Sequence, residues 1–181
     1  MEIEDRDSSD TAVVWDAWLH ANSPRLMLYA RQQTRTEQDA EDVLQEALVQ
    51  LVHAVELGEL RGGQEQWLPW VVSAIRHLAT DAARRQTTRR NYEESADAAA
   101  DVHNPWLRST LDDEVRRRHV EGVLRTLPPD YAEVLILRIW EELSFRQIAV
   151  VVGDKLHTVT SRYRRALGML RDKLAANPIP E

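Results

Sequence analysis

The chain has 181 residues, 43% of them hydrophobic and 29% charged, which gives room for one soluble domain or two small ones. It has no cysteine, which excludes a disulfide framework, a thiolate metal site and a cysteine nucleophile. A formal net charge of −7 excludes a basic footprint spread over the whole molecule, so any nucleic-acid surface must be local.

No apolar run approaches the roughly 18 residues that a membrane helix needs. The acidic start, Met1-Glu2-Ile3-Glu4-Asp5, lacks the basic and apolar regions of a secretory signal. A cytoplasmic protein without a membrane partner is expected. Charge is clustered along the chain. Arg84, Arg85, Arg89 and Arg90 form one basic run, and Arg116, Arg117 and Arg118 form another. Acidic residues dominate residues 37–46 and 93–101. Salt screens charges more than about 8–10 Å apart, so local sign outweighs the sum.

Taken in chain order, the pattern predicts an all-α protein of two small helical domains. Val13, Val14, Ala17 and Trp18 suggest a short helix within an N-terminal extension, residues 1–23. Ser23-Pro24 reads as an N-cap followed by proline at the first helical position, opening a new helix through about Arg35. Thr36 can cap the next helix, with Asp39 favoured in its first turn by the helix dipole. In that helix Ala40, Val43, Leu44, Ala47, Leu48, Leu51 and Val52 recur at helical spacing. Residues 57–66, with Gly58, Gly62 and Gly63, read as a loop. From Trp67 to about Arg90 a helix gathers Trp67, Trp70, Val71, Ala74, Ile75, Leu78 and Ala82 on one side.

Periodicity then fails. The acidic, alanine-rich stretch from Glu93 to Asp101 and the pair Asn104-Pro105 mark a linker, residues 91–110, between a first domain at 24–90 and a second at 111–175, with a tail at 176–181. A helix is predicted from near Leu111 to Arg125, and Pro128-Pro129 starts another. Ser144 with Gln147 three residues on fits a capping box. A tight turn at Gly153 separates that helix from a final, arginine-studded one.

This helix, turn and helix has the layout of a DNA-binding helix-turn-helix. In the last helix Val159, Tyr163, Ala166, Leu167, Leu170 and Leu174 should face the core. Thr158, Thr160, Ser161, Arg162, Arg164 and Arg165 are left mostly on the outer side of its first turns. Arginine suits base and phosphate recognition because its fork can pair with guanine O6 and N7 or with phosphate. The bland alternative is a solvated helix face, the usual fate of charged helix positions. The same alternative holds for Asp39-Ala40-Glu41-Asp42-Val43-Leu44-Gln45-Glu46 taken alone. Trp67 and Trp70 read as core rather than as stacking platforms.

The segment Leu127-Pro128-Pro129-Asp130-Tyr131-Ala132-Glu133-Val134-Leu135-Ile136-Leu137-Arg138, continued by Leu143-Ser144-Phe145-Arg146-Gln147-Ile148-Ala149, Gly153, Thr158-Val159-Thr160-Ser161-Arg162 and Arg165-Ala166, resembles region 4 of bacterial sigma-70 family RNA polymerase sigma factors. The likeness is greatest to the small extracytoplasmic-function (ECF) group. The acidic Asp39–Glu46 helix resembles region 2.2 of the same family, and the stretch from Trp67 through Arg76, Asp81, Arg84 and Arg85 resembles regions 2.3 and 2.4. The resemblance covers about residues 24–90 and 111–174.

It implies a sigma region 2-like bundle and a region 4-like helix-turn-helix joined by a linker. It implies core RNA polymerase as partner, through its beta-prime clamp helices, with Asp39, Glu41, Asp42, Gln45 and Glu46 as contacts. Promoter DNA would be the second partner. Thr158, Thr160, Ser161, Arg162 and Arg165 would read the −35 duplex, while Arg76, His77, Asp81, Arg84 and Arg85 would serve the −10 element. An anti-sigma factor is the third partner that the resemblance implies. Gln147, Lys155, His157, Thr160 and His77 depart from the usual family residues, and Ala74-Ile75 inverts the usual order. By that resemblance Thr160, standing where lysine is common, would remove one cationic DNA contact.

Two alternatives remain open at this level. A stand-alone helix-turn-helix regulator would share the C-terminal half without needing the Asp39–Glu46 helix. A sigma-like protein with degenerate DNA contacts would keep the fold and lose promoter reading. An enzyme is not expected. The histidines, His20, His53, His77, His103, His119 and His157, show no metal-ligand spacing, and no phosphate-binding loop or nucleophile motif is present. No catalytic residue, cofactor or metal is assigned.

Overall fold

A computed structural model describes the backbone of residues 4–60, 63–90 and 111–176, and the side chains of residues 14–60, 63–85 and 118–176. The predicted linker, and the predicted tail beyond Ala176, lie outside the described residues, as do the side chains of Arg89, Arg90, Arg116 and Arg117. Among the described residues every regular element is a helix: α1 (Glu4–Gln33), α2 (Glu37–Glu56), a 3-10 turn (Gly63–Gln66), α3 (Trp67–Arg90), α4 (Leu111–Arg125), α5 (Pro129–Ile139), α6 (Phe145–Val152) and α7 (Leu156–Ala176).

The helix ends follow local chemistry. Thr36 caps α2, its hydroxyl accepting from the Asp39 amide at 3.0 Å. Ser144 and Gln147 form the reciprocal capping box of α6. Gly153 ends α6 at φ 74°, a left-handed value that glycine adopts without the Cβ penalty.

The start of the chain departs from the sequence expectation. Ser23-Pro24 does not open a new helix, because α1 runs unbroken from Glu4 to Gln33 with Pro24 inside it. An interior proline costs about 3 kcal/mol through its missing N–H and its clash with the preceding turn. Tertiary packing offsets that cost. Trp15 stacks on Trp67 with ring centroids 4.2 Å apart, and Trp18 meets Trp67 edge-on at 5.6 Å. The turn before Pro24 is also tied by side chains: Asn22 Nδ2 donates to the Trp18 carbonyl and Ser23 Oγ to that of Leu19, both at 2.6 Å. His20, whose carbonyl Pro24 leaves without its helical donor, is exposed and open to water.

Helices α1, α2 and α3 pack as one bundle around Leu26, Leu44, Leu51, Val71 and Ile75, all buried. Helices α4 to α7 form the second unit around Leu124, Leu135, Ile148 and Val159. Phe145 meets Tyr163 edge-on at 5.2 Å, and the Arg138 guanidinium lies 5.1 Å from the centre of the Phe145 ring, tying α5, α6 and α7 together. Leu167, expected in the core, is 39% exposed. It sits one residue beyond buried Ala166, and that 100° step carries it out of the α5–α7 seam.

The two units are not separate bodies. Helix α1 packs on α4 and α5, and α3 packs on α6, so the buried side chains form one continuous core. Arg25, Tyr29 and Gln33 stand four residues apart on α1 and face the second unit. Tyr29 Oη donates to Glu133 Oε1 on α5 at 2.8 Å, Gln33 Nε2 reaches the same oxygen at 3.4 Å, and Arg25 Nη1 donates to the Trp140 carbonyl at 3.5 Å.

Candidate nucleic-acid and polymerase interfaces

Three surfaces carry the residues singled out from sequence. The first lies on α2. Asp42, Gln45 and Glu46 are exposed on one stripe, with Asp39 and Glu41 half-buried beside it. The stripe is outward because Ala40, Val43, Leu44, Ala47 and Leu51 turn inward at helical spacing. Glu46 accepts from Gln50 at 2.9 Å and keeps its exposure. Asp39, Asp42 and Glu46 line a groove whose far wall on α3 includes Ala82 and Arg85. Glu37 is turned away, since Arg31 Nε donates to its two carboxylate oxygens at 2.9 and 2.7 Å.

The second surface lies on α3. His77, Asp81, Arg84 and Arg85 are exposed, while Arg76 is half-buried. Arg84 lies 3.8 Å from the Asp81 carboxylate, one turn away, and Arg85 Nε donates to the Asp81 carbonyl at 3.3 Å. Arg76 points at the other unit, with Nε 3.0 Å from Glu133 Oε1. His77 and Asp81 line a groove whose opposite wall is Arg146, Gln147, Val150 and Val151 of α6. All three of Arg76, His77 and Asp81 thus face the second unit. Trp67 is buried as expected of a core residue, and Trp70 is half-buried on the wall of the same groove.

The third surface is the start of α7. Ser161 and Arg165 are exposed, and Thr158 and Thr160 are half-buried. Thr160 Oγ1 donates to the His157 carbonyl at 3.0 Å. Arg162 is held inward: its Nη1 donates to Asp154 at 2.7 Å and its Nη2 lies 3.6 Å from Asp130. Those two carboxylates, from the turn before α7 and the first turn of α5, make Arg162 a clamp between elements. Arg164 is exposed and was not among the contacts expected from sequence. Helical spacing had already put Arg164 on the outer side of α7, about 60° from Ser161, whereas Arg162 lies about 100° from it.

Two ionisable groups on the seam between the units are strongly displaced. Burial, then the neighbouring Glu133 carboxylate, pushes the Tyr29 phenol well above its usual value, so it remains a donor. Glu141 is fully buried and pushed up to about 8 by burial, which outweighs Arg25, whose Nε lies 3.8 Å away. No helix among the described residues is long and apolar enough to cross a membrane.

Comparison with known proteins bears on what these surfaces belong to. The sequence matches the family model for sigma-70 region 2 over residues 18–89, the α1–α3 bundle, and that for sigma-70 region 4 over residues 117–170, the α4–α7 unit. The RNA polymerase sigma-H factor of Pseudomonas aeruginosa is 34% identical over 138 residues, 71% of this chain and 69% of that protein. The ECF RNA polymerase sigma factor SigE of Mycolicibacterium smegmatis is 29% identical over 164 residues, 89% of this chain, which spans 62% of SigE's length. Among solved structures, the sigma factor RpoE of Bartonella quintana, in complex with the anti-sigma factor NepR, has the same fold: the TM-score is 0.69 at 20% identity, over 90% of this chain and 98% of that one. Both sigma regions, in the family's order and on the two helical units just described, together with the sigma-H likeness, establish that this chain belongs to the ECF group of the sigma-70 family of RNA polymerase sigma factors.

Proposed function

We propose that the chain binds core RNA polymerase through the α2 stripe and brings it to promoters, with α7 reading the −35 duplex and α3 holding the melted −10 strand. Asp42, Gln45 and Glu46, flanked by Asp39 and Glu41, suit a basic partner surface such as the beta-prime clamp helices, because opposite potentials steer and register an encounter. On α7, Ser161, Arg164 and Arg165 offer hydrogen bonds and charge to base edges and phosphates, with Thr158 and Thr160 at the edge of the same face. Arg162 contributes by holding that helix against Asp154 and Asp130. On α3, Arg76, His77, Asp81, Arg84 and Arg85 serve the −10 element. Extruding a base costs a few kcal/mol of unstacking, which a protein pocket must offset. This activity belongs to the cytoplasm, where polymerase and promoter meet.

The observation that carries this function is the separation of the two chemistries: an acidic stripe on α2 and an arginine-bearing face on α7, within one chain. A stand-alone regulator has no use for the first. An anti-sigma factor is proposed as a further partner, on the strength of the RpoE relative solved with one. The decisive experiment combines the purified chain with bacterial core polymerase and tests run-off transcription over a library of promoter fragments. Stable binding with specific initiation is expected. Binding without initiation, from folded protein, would reduce the function to polymerase or anti-sigma binding alone.

A further inference from the structure

Gln66, Trp70, Ser73, His77 and Asp81 recur at helical spacing along α3 and the turn before it, and all five line the groove described above. His77 and Asp81 belong to the −10 surface, so one stripe runs from that surface back to the helix start. Farther along α3 the core fixes the stripe, because Val71, Ile75 and Ala79 are buried on the opposite side of the helix. The start of the helix has less behind it. Among the described residues, Trp67 is the only buried one between Ala54 and Val71. The 3-10 turn Gly63–Gln66 that leads into α3 buries none of its residues.

What holds Trp67 comes from α1. Its indole is stacked on Trp15, with centroids 4.2 Å apart and planes 14° from parallel, and it meets Trp18 edge-on at 5.6 Å. Trp15 and Trp18 meet each other edge-on at 6.4 Å, which closes a cluster of three rings. Aromatic rings couple in such geometries beyond the area they bury, so the cluster sets orientation as well as proximity. Trp15 is half-buried, and it lies ahead of residue 18, where the match to sigma-70 region 2 begins. The first turn of α3 is thus braced from a segment outside that match.

We propose that Trp15 is a positioning residue for the melted −10 strand. With Trp18 it clamps Trp67, and Trp67 sets where the first turn of α3 presents Gln66 and Trp70, in line with His77 and Asp81. A recognition group has to be held within about 0.5 Å of its productive place by the packing behind it, and here that packing is the indole of residue 15. Trp15 acts on DNA through another side chain and does not touch the strand itself. The part of α1 ahead of region 2 is therefore a working part of promoter reading.

This role rests on the proposed promoter function, and the test separates the two. Full-length variants in complex with core polymerase are titrated with two fragments chosen from the run-off library. One is a fork that is single-stranded at the −10 element, and the other is a duplex carrying the −35 element alone. Wild type is compared with Trp15→Ala, Trp15→Leu and Trp15→Phe, all well below their melting temperatures. Leu26→Ala is the control for lost stability: Leu26 is buried on the same helix, about 16 Å farther along it than Trp15, and its truncation leaves a cavity away from the three rings. Trp15→Ala and Trp15→Leu should each bind the fork about tenfold more weakly, the upper end of the coupling between two aromatic rings, and should bind the −35 duplex as wild type does. Trp15→Phe keeps a ring against Trp67 and should recover most of the loss. Leu26→Ala should melt earlier and keep both affinities. Trp15→Leu retains apolar bulk, so it carries the test if Trp15→Ala does not fold. Unchanged fork binding by Trp15→Leu, a loss that falls equally on the −35 duplex, or the same loss in Leu26→Ala overturns the positioning role. Failure of the wild-type complex to bind the fork overturns the promoter function instead.

Discussion

At the scale of single residues, the two arginines flanking Tyr163 have different fates. Arg162 is spent on Asp154 and Asp130, whereas Arg164 faces solvent. Arg164→Ala and Arg165→Ala should each weaken −35 duplex binding, by roughly 1–3 kcal/mol if the lost contact is a bidentate base pairing. Their melting temperatures should match wild type. Arg162→Ala should lower the melting temperature, since it leaves two carboxylates without their cation. Fluorescence anisotropy and thermal melts distinguish the two patterns, and a stable Arg162→Ala protein that loses DNA would reverse the assignment. Glu141 sets a second expectation. Its carboxyl rises from about 4.5 to about 8 on folding, so the native state holds a proton that the unfolded chain gives up. The stability it leaves in place is full below about pH 4.5 and falls as pH climbs toward 8, by on the order of a few kcal/mol. Glu141→Gln cannot ionise. Urea midpoints at pH 5 and pH 8 should differ less for that variant than for wild type, and equal differences would remove Glu141 as the cause.

Helix by helix, the caps and periodicities were legible in advance. Thr36, the Ser144–Gln147 box and Gly153 act through neighbours within a turn, so local sequence contains the whole interaction. The α2 stripe was legible for the same reason: inward Ala40, Val43, Ala47 and Leu51 leave Asp42, Gln45 and Glu46 outside. Asp42→Lys with Glu46→Lys should abolish capture of core polymerase and leave the far-UV circular dichroism of the chain unchanged. Retained capture would move the polymerase surface elsewhere. What sequence did not disclose depends on distant partners. Pro24 signalled a helix start, and Trp67, 43 positions later, overrode it by anchoring Trp15 and Trp18. Arg76 had the composition of a DNA contact, yet its partner Glu133 stands 57 residues away and leaves no periodic trace.

For the whole molecule, the shared core predicts shared unfolding. Helices α1 and α3 bury surface against α4, α5 and α6, so neither unit melts without exposing part of the other. Thermal transitions followed by tryptophan fluorescence, weighted to the first unit, and by far-UV circular dichroism should coincide in wild type. In Tyr29→Phe they should begin to separate as the seam weakens. Coincidence at every seam substitution would show that the joint core, rather than the Glu133 hydrogen bonds, couples the units. The net charge of −7 acts at the same scale: with Asp42 and Glu46 exposed on α2, the molecule as a whole repels DNA at long range.

The indole pair at the root of α1 gives this molecule an optical property of its own. Trp15 and Trp67 lie 4.2 Å apart and within 14° of parallel, close enough for their near-ultraviolet transitions to couple as one chromophore. Both rings belong to the first unit, so the coupled band is indifferent to whether the second unit is docked or swung away. It disappears only when α1 lifts from α3. The protein thus carries a built-in signal by which unfolding of the first half is told from any change confined to the second.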